Sequence, residues 1–177
     1  MDLFDAIGKR HSYRGGFEKR PIPRGHLQRI VQAGLQAPSG CNAQTTSFVI
    51  VDDPAVIVRI AAVLDRPVVR EAAAIVVCVM ETRQVYKAMS FGVEDCAAAI
   101  ENMLLAVTAL GYATVWLDGF LRTERRAEQI AAILGIPAQR QVRVILPMGV
   151  PTTPGAQPEK LPFEQRAWFN RWGGAPG

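Results

Sequence analysis

Arg10, Ser12 and Arg14 recur at every second position of the stretch KRHSYRGGF, directly before Gly15 and Gly16. In an extended backbone that period turns all three side chains to one side. Two guanidinium forks and a hydroxyl converging on one point suit a bound oxyanion, because guanidinium meets phosphate bidentately. A solvated basic turn has the same spacing, so other residues must decide between the two readings.

A second group lies in APSGCNAQ, Ala37 to Gln44. Asn42 and Gln44 stand at i and i+2, on one side of a segment read here as extended, and each carboxamide carries donors and an acceptor. Such a pair can read a ring edge that alternates C=O, N–H and C=O, which is the pyrimidine edge of a flavin. Gly40, after Pro38 and Ser39, permits close approach of the backbone.

Other chemistries lack their residues. The chain has no GxGxxG, no GxxxxGK[ST] and no GxSxG. Its only histidines are His11 and His26, without metal-ligand spacing, so no metal site is expected. Cys78 falls in an apolar strand and Cys96 early in an apolar helix, both as packing. Cys41, in the PSGCNAQ loop, is the one reactive-thiol candidate, with no histidine poised beside it to make it a nucleophile. Glu94 and Asp95 resemble a carboxylate pair, but in a first helical turn they read as complementing the macrodipole.

These groups need elements to hold them. Residues 2–9 read as a short helix. Leu27, Ile30, Val31 and Leu35 repeat at helical spacing over 24–36 and stop at Ala37-Pro38-Ser39-Gly40. Residues 47–51 read as a strand, followed by Asp53-Pro54 as N-cap and first residue of another helix. Residues 74–80 (AIVVCVM) are apolar on both faces, as in a buried central strand. Residues 93–110 form a helix apolar nearly all round, closed by Gly111; a homodimer interface or a fully buried core helix accounts for it equally. A strand is expected at 112–117, a helix at 123–134 and a last strand at 142–148. From Pro151 the chain loses regular pattern yet ends in Trp168, Phe169 and Trp172, which must bury on the body or on a partner.

Composition limits the partners. With 177 residues, 49% hydrophobic and 20% charged, the chain reads as one globular domain. The balance of 20 basic against 16 acidic residues gives +4, scattered without runs or interleaved aromatics, which argues against nucleic acid. Three cysteines without CxxC, no leader in MDLFDAIGKR and no membrane-length apolar run predict a soluble cytoplasmic protein.

Taken together, the motifs resemble the short form of the FMN-dependent nitroreductase superfamily. The resemblance rests on R-x-S-x-R (Arg10, Ser12, Arg14) and on A-P-S-x-x-N-x-Q (Ala37 to Gln44). It continues through E-D-x-A-A-A-x-x-N-M-L-L-A (Glu94 to Ala106), L-G-Y-A-T-V-W-L-D-G (Leu110 to Gly119), G-x-P (Gly149 to Pro151) and a basic residue before P-F-E, at Lys160. These lie in order over nearly the whole chain.

That resemblance implies an α+β sandwich, with a central mixed, mostly antiparallel sheet flanked by helices, in an intertwined homodimer. It implies one domain over 1–177, whose residues 151–177 extend onto the partner subunit. It implies two FMN sites built from both subunits, and NADH or NADPH as a transient co-substrate. Carried across by position, Arg10, Ser12 and Lys160 hold the phosphate and ribityl chain, with His11 following through backbone or ring and Arg14 near the pyrimidine end. Pro38, Ser39, Gly40, Asn42 and Gln44 line the isoalloxazine, and Leu117, Asp118 and Gly119 present backbone N–H groups near N5 or O4. No catalytic side chain is required, since the cofactor carries the chemistry. The implied activity is two-electron, ping-pong reduction of nitroaromatics, quinones or other electron-poor small molecules; flavin storage or sensing, or a reaction on flavin or halogenated aromatics, are the alternatives. The chain departs from the family pattern at Thr45-Thr46, where many relatives have Pro-Trp, and in residues 81–92, too short for a long lid.

Overall fold

A computed structural model describes residues 1–174; the last three residues of the C-terminal extension lie outside the described residues. In chain order the elements are α1 (Leu3–Lys9), α2 (Arg24–Leu35), β1 (Thr46–Val51), α3 (Pro54–Leu64), α4 (Pro67–Arg70), β2 (Ala74–Glu81), α5 (Gly92–Ala109), β3 (Ala113–Thr114), α6 (Arg126–Leu134) and β4 (Arg140–Gly149). The strands form one sheet in the order β1-β2-β4-β3, every neighbour antiparallel.

Alternation along the two central strands builds two cores. Ile75, Val77 and Val79 of β2 face α3, α4 and α6, while Ala74, Val76 and Cys78 face α2 and α5. The pairing slips between Cys78 and Val79, so Arg143 is the extra residue of a β-bulge in β4. The bulge keeps Val142 and Ile145 in the first core and puts Val144 in the second. As expected, residues 74–80 are buried throughout. Asp53 caps α3, its carboxylate accepting from the Ala55 amide at 2.8 Å.

Two elements differ from the sequence pattern. The strand expected at 112–117 pairs only at Ala113–Thr114, after which Leu117 alone bridges back to Ile145. The helix expected from 123 begins at Arg126, because Glu124 and Arg125 both take left-handed backbone (φ 53° each). A 3-10 turn at Gly119–Arg122 fills the gap.

α5 buries one flank on the sheet and α2 and receives α1 on another side. On α1, Leu3, Phe4 and Ile7 stay exposed, as do Leu161, Phe163, Phe169 and Trp172 of the C-terminal extension, Phe4 at 81% and Trp172 at 86%. Trp168 is half-buried against Trp172, their ring centroids 4.1 Å apart. The outer edge of β1 has no strand partner among the described residues. No helix among the described residues is long and apolar enough to cross a membrane.

Candidate functional site

The basic run is extended, and one buried tyrosine sets its direction. The Tyr13 N–H donates to Thr114 O at 2.9 Å and its hydroxyl donates to Gly16 O at 2.8 Å. With Tyr13 turned inward, Ser12 and Arg14 stand outward, as a period of two demands. Arg10 caps α1, its N–H donating to Ala6 O at 2.9 Å, and its half-buried side chain brings Nε within 3.4 Å of Glu101 Oε1 on α5. No hydrogen bond completes that Nε. His11 donates from Nδ1 to Lys9 O at 2.9 Å, which leaves Nε2 buried and without a partner. That ring lies so close to Gly155 that any side chain there would overlap it. The extension is fixed to the same place: Gln157 Nε2 donates to Arg10 O at 2.8 Å and to Ile7 O at 3.2 Å. Lys160 follows three residues later, exposed.

The carboxamide loop departs from the extended form expected of it. Gly40–Asn42 make a 3-10 turn, and Cys41, Asn42 and Gln44 all have left-handed backbone, φ 50–53°. Asn42 and Gln44 are exposed, and the turn removes the extended backbone from which a common direction was expected. Asp95, expected only to complement the helix dipole, holds the loop. Its buried carboxylate accepts from the Gly40 N–H at 2.8 Å and from Thr45 Oγ1 at 2.6 Å. Thr45 carried the available signal, since a hydroxyl at the fully buried start of a strand must bond something. Ser39 Oγ accepts from the Gln44 N–H at 3.0 Å, and Arg83 Nη2 donates to Ala43 O at 2.8 Å. Gly40 serves packing: the Phe91 ring occupies the space of a Cβ there. Pro38, Ser39, Gln44, Thr46, Phe48 and Asp95 line a cavity of about 140 Å³. Thr46 Oγ1 is buried there without a partner.

The third segment is partly spoken for. Leu117 N–H donates to Ile145 O at 3.1 Å, so it cannot face a ligand, and only the amides of Asp118 and Gly119 remain for that role. The Asp118 carboxylate accepts from Arg122 Nη2 at 2.8 Å and from Arg143 Nη1, on the bulge, at 3.0 Å. Partial burial pushes its pKa up, but the Arg122 hydrogen bond and the charges of Arg143 and Arg122 outweigh it and hold the group below the ordinary carboxylate value. Cys41 is exposed, whereas Cys78 and Cys96 are buried with sulfurs 2.8 Å apart. The Cys96 contact and burial raise the Cys78 thiol well above its usual value, which suits packing rather than nucleophilic chemistry.

One chain does not close these segments around a single pocket. The loop sits where β1 begins and β2 ends, Thr45 O accepting from Glu81 N at 2.9 Å. The basic run leads away from there, from Glu101 in mid-α5 to Thr114 and then to Thr152, whose N–H donates to Gly16 O at 3.1 Å beside the far end of β4. Their anchors on α5, Asp95 for the loop and Glu101 for Arg10, lie about 9 Å apart along the helix but about 120° apart around it, so the two segments leave α5 on different sides. Among the described residues no hydrogen bond or ion pair joins residues 10–14 to 38–44.

Comparison with known proteins places this arrangement. The model of the nitroreductase family matches residues 7–73 and 62–150. A protein of Methanothermobacter thermautotrophicus, provisionally named an NADH dehydrogenase/NAD(P)H nitroreductase, is 30% identical, over 93% of this chain and 88% of its own. The structure of an FMN-dependent nitroreductase from Clostridium difficile superposes with a TM-score of 0.82 at 19% identity, covering 96% of this chain and 100% of that one. The NADPH:FMN oxidoreductase of Vibrio harveyi, solved with NAD+, gives a TM-score of 0.82 at 24% identity, covering 96% of this chain and 77% of that one. The four-stranded sheet, the long α5 and the motifs from Arg10 to Pro151 thus share one explanation: the chain belongs to the nitroreductase family.

Proposed function

We propose that the chain is an FMN-dependent oxidoreductase, drawing on NADH or NADPH to reduce nitroaromatics, quinones or similar electron-poor small molecules. One observation carries the reading. The buried side-chain polar atoms left without a partner among the described residues are Arg10 Nε, His11 Nε2 and Thr46 Oγ1. Two stand in the basic run and the third lines the cavity beside Pro38, Ser39 and Gln44. A buried polar group without a partner costs about 1–3 kcal/mol, and a ligand that supplies the partners removes the cost. FMN offers what they lack: phosphate oxygens, ribityl hydroxyls and a ring edge of acceptors and a donor.

When bound, FMN supplies a two-electron carrier that takes reducing equivalents from the nicotinamide and yields them to the oxidant. The chain's own residues bind and orient. Arg10, Ser12 and Lys160 grip the phosphate and ribityl chain, and His11 closes that end against Gly155. Arg14 places positive charge where negative charge develops on the reduced ring. Pro38, Ser39, Gly40, Asn42 and Gln44 border the ring plane, and the amides of Asp118 and Gly119 face its polar edge. Residues 82–91 pack on the loop through Arg83 and Phe91 and fold back at Tyr86–Met89, and nicotinamide and oxidant use one open space in turn.

The separation of the basic run from the loop within one chain supports a homodimer in which each site takes the run of one copy and the loop of the other. The exposed face of α1 and the aromatic extension 151–177 supply apolar surface for that contact. The free cysteines agree with a cytoplasmic location.

Anaerobic addition of NADH or NADPH to the FMN-loaded protein tests the reading. Loss of the yellow absorbance, and its return on adding a quinone, is the expected result. Absorbance unmoved by either nicotinamide would leave a flavin-binding protein without turnover.

A further inference from the structure

Arg10 is not an isolated cation. Its Nε lies 3.4 Å from Glu101 Oε1, with 25% of the Arg10 side chain and 50% of the Glu101 side chain exposed. Glu101 projects from α5, so its carboxylate belongs to the rigid floor on which the basic run rests. The contact brings charge without completing Nε, which still lacks a hydrogen bond. An incoming phosphate therefore meets a guanidinium already shared with a fixed negative charge.

We propose that Glu101 is a built-in counter-charge that limits how tightly the basic run holds a phosphate monoester. The inference rests on the FMN reading above and concerns the regulation of that same site. A phosphate monoester carries close to two negative charges at neutral pH. Like charges a few ångströms apart at a half-exposed surface repel appreciably, even at the high effective dielectric of such places. The carboxylate weakens the phosphate contact while leaving the flavin ring untouched, so the cofactor stays exchangeable. A neutral isostere keeps an oxygen beside Arg10 and removes both the repulsion of phosphate and the carboxylate's charge claim on the guanidinium.

The test is fluorescence titration of wild type, Glu101→Gln and Glu101→Ala with FMN and, separately, with riboflavin, which lacks the phosphate. FMN binding is expected to tighten about tenfold in both variants, with riboflavin binding unchanged and the FMN gain shrinking as salt is raised. A merely structural role for Glu101 cannot produce a gain confined to the phosphorylated ligand. FMN affinity that is unchanged or weaker in the Gln variant overturns the proposal while leaving the site in place. Wild type that binds FMN no better than riboflavin overturns the reading of the basic run itself, and the counter-charge with it.

Discussion

Asp95 is buried, and both of its carboxylate oxygens are committed to the loop, one to the Gly40 amide and one to Thr45 Oγ1. Replacing it with alanine strands the buried Thr45 hydroxyl and the part-buried Gly40 amide, so Asp95→Ala should lose about 1.5–3 kcal/mol in urea unfolding and bind FMN more weakly. A variant with wild-type stability and affinity would remove Asp95 from the site's support. Asp118 makes a pH prediction. Its pKa is depressed in the fold, so its contribution is present at neutral pH and lost as pH falls below the unfolded value, near 3.9. Asp118→Asn should therefore narrow the stability difference between pH 7 and pH 3, and coincident acid profiles would contradict it. At this scale the outward Ser12 and Arg14 were legible from their period of two, whereas the turn of Arg10 onto α5 was not. The turn at Cys41–Gln44 was not, since left-handed backbone at three non-glycine residues leaves no mark in residue type.

Among the elements, β2 and α5 were readable from apolar pattern alone, because each is covered on more than one side. β3 was not: six residues of strand-like composition yield two residues of ladder, since Leu117 bridges back to β4 at Ile145, beside the Arg143 bulge. A bulge depends on pairing between distant strands, which local pattern does not encode. The C-terminal extension is held to the body by Gln157 but leaves Leu161, Phe163, Phe169 and Trp172 exposed. Deleting residues 161–177 should cost dimerisation or solubility, read by light scattering. A truncated protein that stays dimeric, soluble and flavin-loaded would show that these aromatics need no partner.

At the scale of the whole molecule, the proposed site holds one flavin between the basic run of one copy and the loop of another. Mixed and reassembled Arg10→Ala and Asp95→Ala chains test this, because each mixed dimer then contains one site with both halves intact. Random mixing should restore about a quarter of the wild-type FMN sites, whereas sites contained within single chains would recover none. Motif order disclosed the two halves. Their separation in one chain follows from the different sides of α5 on which Asp95 and Glu101 anchor them, which emerge only with the fold.

The grip on the cofactor itself is the claim on which the rest depends, and flavin fluorescence measures it directly. FMN titrated into wild-type protein should be quenched to an end point of one per chain, and Arg10→Ala should weaken binding by about 1.5–3 kcal/mol. Arg10→Ala that binds FMN as tightly as wild type would contradict the assignment of residues 10–14 to the phosphate.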